Sequence, residues 1–281
     1  MAVKLPNPFP RRNTRAPRSP DGQMTLFEHL GELRNRLLKA IAVIVLGMIV
    51  AWFFYDFLFG LLEHPFDAAK ATLAAKRHIT AEVNFGNIGS PLLLQIKICA
   101  VAALIITCPL WLYQIWAFIT PGLPRNERKW TYIFIGTAAP LFFSGIVVGY
   151  VSLPKGLSVL INFTPDNAWN IIGAEEYYSF ILRMLLIFGV AFEIPIFVVV
   201  LNMVGVLTAA VLTKARPGII FGIFVFAAVA TPSTDPFTML LLAVPMTILF
   251  IASEIIARSI ERRRRARLAA MGIDTSIDVD D

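Results

Sequence analysis

SFILRMLLIFGVAFEIPIFVVVLNMVGVL, Ser179 to Leu207, holds only two charged residues, Arg183 and Glu193. It is apolar enough to cross the roughly 30 Å hydrocarbon core of a bilayer as a helix. Five further stretches share that character: Leu37 to Leu62, Pro91 to Ile119, Thr131 to Leu153, Pro217 to Ala230 and Phe237 to Ala257. Six such segments predict an all-α membrane protein with six transmembrane helices, and an even number of spans puts both termini on one side. Composition agrees, because 57% hydrophobic residues and a mean hydropathy of +0.70 exceed what a soluble core of this size needs.

The basic residues orient the bundle. Of the 25 Lys and Arg, 19 lie on the side of the termini, the second loop and the fourth loop. Four, Lys70, Lys76, Arg77 and Lys155, lie on the other side, and Lys97 and Arg183 fall within spans. The positive-inside bias therefore predicts that the N-terminus and C-terminus are cytoplasmic. The net charge of +6 sits where helix orientation and anionic headgroups favour it, which argues against nucleic acid as a partner.

Residues 1–23 are rich in Pro and Arg and cannot bury enough apolar surface to order themselves, so they read as a basic N-terminal arm. Residues 24–257 read as the membrane domain, and 258–281 as a cytoplasmic tail. The first apolar stretch follows about 36 polar residues and is too long for a signal-peptide core, so it is kept as a membrane helix. Arg262 to Arg265 reads as a cytoplasmic stop and lipid-headgroup anchor. Cys99 and Cys108, nine residues or roughly 13 Å apart along one helix, are too distant for a disulfide and read as small buried residues.

Several polar residues stand out against this background. In T-L-F-E-H-L-G-E-L-R-N-R-L, Thr25 and Glu28 have capping-box spacing, and Leu26, Leu30, Leu33 and Leu37 follow helical periodicity. The opposite face carries Glu28, Glu32 and Asn35, and spacing alone leaves Glu32 either paired with Arg36 or turned toward a ligand. Between Trp116 and Trp130 a turn on Pro121, Gly122 and Pro124 carries Glu127 among Arg125, Arg128 and Lys129. Glu193 falls mid-span, where an ionised carboxylate is costly and must face protein or water. Arg183, about 15 Å along the axis and off that face, is no partner for it. Lys97 and Arg183 are near enough to a helix end to snorkel outward, and Asp56 reads as solvated.

The last two spans look short. Removing turn residues from Pro217 to Thr234 and Pro236 to Ser253 leaves only about 21 to 25 Å of apolar helix each. Asp235, in the turn T-P-S-T-D-P between them, is either an N-cap or a functional carboxylate. Glu193 is the single acidic residue read as deep in a span.

Enzyme chemistry lacks its parts. There is no G-x-x-x-x-G-K-[ST] phosphate loop and no H-E-x-x-H, and His29, His64 and His78 all lie outside the spans. No span offers a carboxylate pair or a Ser and His pair, so no catalytic residue, metal ligand or cofactor is assigned. Binding or transport remains. A secondary transporter using Glu193 as a proton-binding group would fit one intramembrane acid, but the chain shows no internal repeat and no midplane cluster of polar groups.

H-L-G-E-L-R-N-R-L at His29 to Leu37, F-I-T-P-G-L-P-R-N-E-R-K at Phe118 to Lys129, F-E-I-P at Phe192 to Pro195 and T-P-S-T-D-P together resemble TatC, the multi-spanning component of the twin-arginine protein translocase. The likeness covers about Thr25 to Arg258. It implies a non-enzymatic receptor for twin-arginine signal peptides that exports folded proteins under the proton-motive force. Single-span TatA-type and TatB-type subunits, membrane lipids and other copies of the chain are the partners it implies. By the same resemblance Glu32 and Glu127 recognise the arginines, with Arg34 and Arg128 in the same signal-peptide site, while Glu193, Asp235 and Met239 form an intramembrane polar or partner site. Met239 departs from the pattern, standing where many members carry Gln.

Overall fold

The computed structural model describes residues 26–77, 81–119, 128–163, 170–203, 207–231 and 236–270. In chain order they form α1 (Leu26–Phe53), α2 (Tyr55–Arg77), β1 (Ala81–Asn84), α3 (Ser90–Ile106), α4 (Cys108–Ile119), α5 (Arg128–Asn162), β2 (Asn170–Gly173), α6 (Ala174–Met203), α7 (Ala209–Ala230) and α8 (Pro236–Ala270). Five helices, α1, α5, α6, α7 and α8, are each long and apolar enough to span a bilayer, and α3 with α4 makes the sixth span, bent by 60° at the break.

That bend follows from Thr107 and Pro109. The Thr107 hydroxyl donates to the carbonyl of Ala103 at 2.7 Å and so competes with the helix ladder, while Pro109 has no N–H to offer one turn back. The Trp111 indole N–H donates to the Leu104 carbonyl at 2.8 Å and stitches the two halves together. On α1, a stripe of small residues, Ala40, Gly47 and Ala51, lies at helical spacing, with Ala40 and Ala51 buried. A Cβ on Gly47 would stand 2.6 Å from the Thr107 methyl, so the glycine lets α1 cross directly over the bend. Leu37, Val45, Leu46 and Phe53 point outward and are exposed. That is the inverse of a soluble protein and what a lipid-facing helix requires.

The first span ends earlier than the hydropathy suggests. Leu37 to Leu62 is not one helix: α1 stops at Phe53, and α2 starts at Tyr55. The sequence stays apolar past the break because α2 buries Leu62, Phe66 and Ala69 against α5 and α6. Pro65 lies inside α2 and leaves the Leu61 carbonyl without its helical donor; the Tyr150 hydroxyl supplies that bond at 2.8 Å, and Tyr177 donates to Leu62 at 3.2 Å. At the same end of the bundle β1 and β2 pair in parallel, Ala81 opposite Asn170 through Asn84 opposite Gly173. This strand end lies opposite the end that carries the first turns of α1 and the last turns of α8.

α6 is the enclosed helix, and glycine decides how closely it is held. A Cβ on Gly145 of α5 would lie 2.5 Å from the Phe188 carbonyl oxygen. One on Gly149 would press on the Phe188 ring at 3.1 Å, and one on Gly189 of α6 would meet the Phe142 ring at 2.8 Å. Gly145 and Gly149 form a G-x-x-x-G pair, the spacing that lets two membrane helices approach backbone to backbone.

The apolar runs of the last two helices are short, as expected: α7 has 22 residues and α8 has 35, but their charge-free parts, 217–230 and 236–253, are only roughly 21 and 27 Å long, and both helices extend past them. α7 continues through Lys214 and Arg216 because Arg216 is held by a carboxylate of α8, described below.

Gly145→Ala is expected to destabilise the protein by about 1 to 3 kcal/mol, since the added methyl meets backbone that cannot move aside. Gly222→Ala, where a Cβ meets nothing within 4 Å, serves as the control and should be neutral or slightly stabilising. Thermal unfolding of both variants in detergent measures the contrast.

Candidate functional site

The first candidate surface lies at the start of α1. His29 stacks on Phe118 of α4, with ring centroids 4.3 Å apart and planes inclined by 17°. This contact joins the first turns of α1 to the end of α4, which begins the second segment that the sequence singles out. One turn beyond His29, the Glu32 carboxylate is half-buried. Its Oε1 accepts from the Arg36 guanidinium, whose Nε lies at 2.9 Å. Its other oxygen, Oε2, is buried and has no hydrogen-bond partner among the described residues. The local pairing with Arg36 is therefore present through Oε1. Arg34 is exposed. Glu127 lies outside the described residues, as does the side chain of Arg128, the first residue of α5.

Glu193 occupies the second position of interest. It is 3% exposed, and neither carboxylate oxygen has a hydrogen-bond partner among the described residues. Ten residues, or roughly 15 Å of helix, separate it from the end of α6 at Met203. The wall beside it is apolar, built from Cys108, Leu112 and Trp116 of α4, Phe142 of α5, and Ile196 and Val199 of α6. Arg183 is exposed and turned elsewhere, as its spacing predicts. Leaving a buried carboxylate without a donor costs the fold free energy. Asp235 lies outside the described residues, and Met239 is half-buried against the main core.

Lys97 does snorkel to the strand end, where its ammonium donates to Glu175 at 2.6 Å; both side chains are 43% exposed.

Sequence reasoning missed the densest polar cluster. Glu254, inside the stretch read as the sixth span, is 1% exposed, so Glu193 is not the only buried acid. Arg216 grips it with two bonds, Nε to Oε2 at 2.9 Å and Nη2 to Oε1 at 2.8 Å. The Thr213 hydroxyl donates to Oε1 at 2.9 Å, and Arg258, one turn along α8, reaches the same oxygen. Two turns along α8 from Glu254, Glu261 Oε1 accepts from the Asn202 amide at 2.8 Å and from the Ala209 backbone N–H at 2.6 Å. α6, α7 and α8 are thereby tied at one end through two carboxylates of α8. The signals were present as E-I-I-A-R, an i,i+4 pair at 254 and 258, and as Arg216 directly before a proline.

The sequence model of the family described as Sec-independent protein translocase protein (TatC) matches residues 28–245. The Sec-independent protein translocase protein TatC of Xylanimonas cellulosilytica is 40% identical over 247 residues, covering 88% of each chain. The protein of the same description from Frankia casuarinae is 38% identical over 290 residues, 98% of this chain and 77% of the relative. Among solved structures, the crystal structure of the twin arginine translocase receptor TatC in DDM superposes with a TM-score of 0.71 at 32% identity, covering 82% of this chain and 99% of that one.

Arg216→Leu is expected to lower the fraction of folded protein more than Arg258→Leu does, because Arg216 supplies two of the bonds to Glu254. Size-exclusion recovery after graded heating in detergent ranks the two; equal losses would show that Glu254 does not depend on the bidentate pair.

Proposed function

The chain belongs to the TatC family, and on that basis we propose that it is the signal-peptide receptor of a twin-arginine translocase, passing folded cargo across the cell membrane. It is a transport component rather than an enzyme. In this proposal its N-terminus and C-terminus are cytoplasmic, as the split of basic residues favours. Residues 1–23 serve as an arm, 24–257 as the membrane domain and 258–281 as a tail whose first turns continue α8 to Ala270. TatA-type and TatB-type single-span subunits, membrane lipids and further copies of the chain are its partners.

The observation that carries the reading is the state of Glu32. A guanidinium pair on a peptide needs planar acceptors, and a carboxylate takes each guanidinium with two parallel bonds that an ammonium cannot copy. Glu32 is held by Arg36 through one oxygen, and its other oxygen has no partner among the described residues. The His29–Phe118 stack joins the first turns of α1 to the end of α4, and Glu127 follows α4 by eight residues in sequence. Glu127 supplies the second acceptor. Arg34 and Arg36 lie within a turn of Glu32, and Arg125, Arg128 and Lys129 flank Glu127 in sequence, so a bound arginine meets like charge and must displace local pairing. That makes affinity modest and binding reversible.

After docking, the apolar segment of the signal peptide enters the membrane beside α4 and α6. Glu193 gives that wall one polar group, available because the fold leaves both its oxygens without a donor. Asp235 and Met239, at the start of α8, serve the partner subunits.

Glu32→Gln and Glu127→Gln should each weaken capture of an Arg-Arg signal peptide by about tenfold or more, as expected for losing a charge-assisted hydrogen bond of about 1.5 to 3 kcal/mol. Fluorescence anisotropy with the chain in nanodiscs reads this directly, and a Lys-Lys peptide on the parent chain should bind comparably poorly. Glu193→Ala should leave capture intact but reduce cargo transport in energised vesicles containing the partner subunits. Unchanged transport there would remove the intramembrane role.

A further inference from the structure

At the end of the bundle where α7 begins and α8 leaves the core, Ala209, Ala210, Thr213, Arg258, Glu261, Arg262 and Arg265 line a cavity of about 290 Å³. Its charges are not balanced. Arg216 and Arg258 meet Glu254, and Glu261 gives Oε1 to Asn202 and Ala209. Arg265 is left with only a long contact to Glu261 Oε2 at 3.9 Å, and Arg262 has no ion-pair or hydrogen-bond partner among the described residues. Two guanidinium groups therefore face the cavity with their hydrogen-bonding capacity largely unspent.

The rest of the lining suits a small anion. Ala209 and Ala210 are the first residues of α7, a 22-residue helix capped by Thr208, so its positive end points into the space. Their methyl side chains let a ligand approach the backbone. Of the N–H groups in that first turn, Glu261 has taken that of Ala209, and the Thr208 hydroxyl and carbonyl have taken those of Val211 and Leu212, which leaves Ala210 to face a ligand. At about 290 Å³ the space is at the lower edge of the roughly 300 to 1,000 Å³ typical of ligand sites, which fits a headgroup rather than a peptide.

We propose that this cavity binds a single phosphate-bearing anion, supplied by the headgroup of an anionic phospholipid or by a free phosphate, through Arg262 and Arg265 and the N-terminus of α7. A bound anion cross-links the first turn of α7 to the last turns of α8, the same joint that Glu254 and Glu261 brace from inside. The site stands apart from Glu32 and Glu193, so the proposal holds or fails independently of peptide recognition.

Native mass spectrometry of the intact purified chain, exchanged into detergent with phosphatidylglycerol or phosphatidylcholine, tests it. One retained phosphatidylglycerol per chain, with phosphatidylcholine retained at least tenfold less, is the expected result. The R262Q/R265Q double variant should lose about tenfold in retention, with an unfolding midpoint unchanged in detergent free of lipid and phosphate, whereas R263Q, which removes a neighbouring charge that does not line the cavity, should retain lipid like the parent. Repeating the measurement in inorganic phosphate separates the sources: displacement of the lipid assigns the site to a free anion, and persistence assigns it to the headgroup. Equal retention of the two lipids, or equal losses for R263Q and the double variant, would overturn the proposal.

Discussion

In a bilayer an apolar side chain gains nothing by leaving the solvent, so the fold depends on how closely helices approach, and here the decisive approach is that of α5 to α6. Gly145, Gly149 and Gly189 bring the two backbones together with no room for a methyl at Gly145. α6 becomes the enclosed post of the bundle, and the other spans arrange around it with their larger apolar side chains turned outward. Gly47 against Thr107 repeats the device where α1 crosses the bend between α3 and α4. The positions of Glu32 and Glu193 follow from these two crossings.

Enclosure also sorts the acidic residues. Glu254 and Glu261 are surrounded by donors and bind α6, α7 and α8 at one end; a buried carboxylate with two guanidiniums and a hydroxyl is a structural joint. Glu193 and the second oxygen of Glu32 are the opposite case, buried and without donors among the described residues. Acceptors of this kind are what a peptide carrying paired arginines and an apolar segment needs from a receptor.

Much of this was legible in the sequence. Six apolar stretches foretold the span count, and spacing in the first turns of α1 marked Glu32 as either a partner of Arg36 or a ligand residue. What hydropathy could not convey was what each apolar residue packs against. Leu37 to Leu62 read as one span because protein contact for Leu62 and Phe66 looks the same as lipid contact for Leu46. The β1–β2 pair joins four-residue segments almost ninety positions apart and leaves no local pattern. Glu254 escaped notice because it marks the edge of a charge-free run, and only the fold reveals that its partner Arg216 sits on the neighbouring helix. The G-x-x-x-G at 145 and 149 was readable but was not weighed, since small residues dilute rather than raise apparent hydrophobicity.

The account stands on carboxylate-to-guanidinium docking at the end of the bundle where α1 begins, and a charge exchange measures that interaction with least ambiguity. Site-specific crosslinking would compare the parent chain with Glu32→Lys, each offered a signal peptide bearing Arg-Arg or one bearing Arg-Glu. The account predicts that the variant loses the Arg-Arg peptide and regains capture with the Arg-Glu peptide, which the parent rejects. Undiminished capture of the Arg-Arg peptide by Glu32→Lys would contradict it.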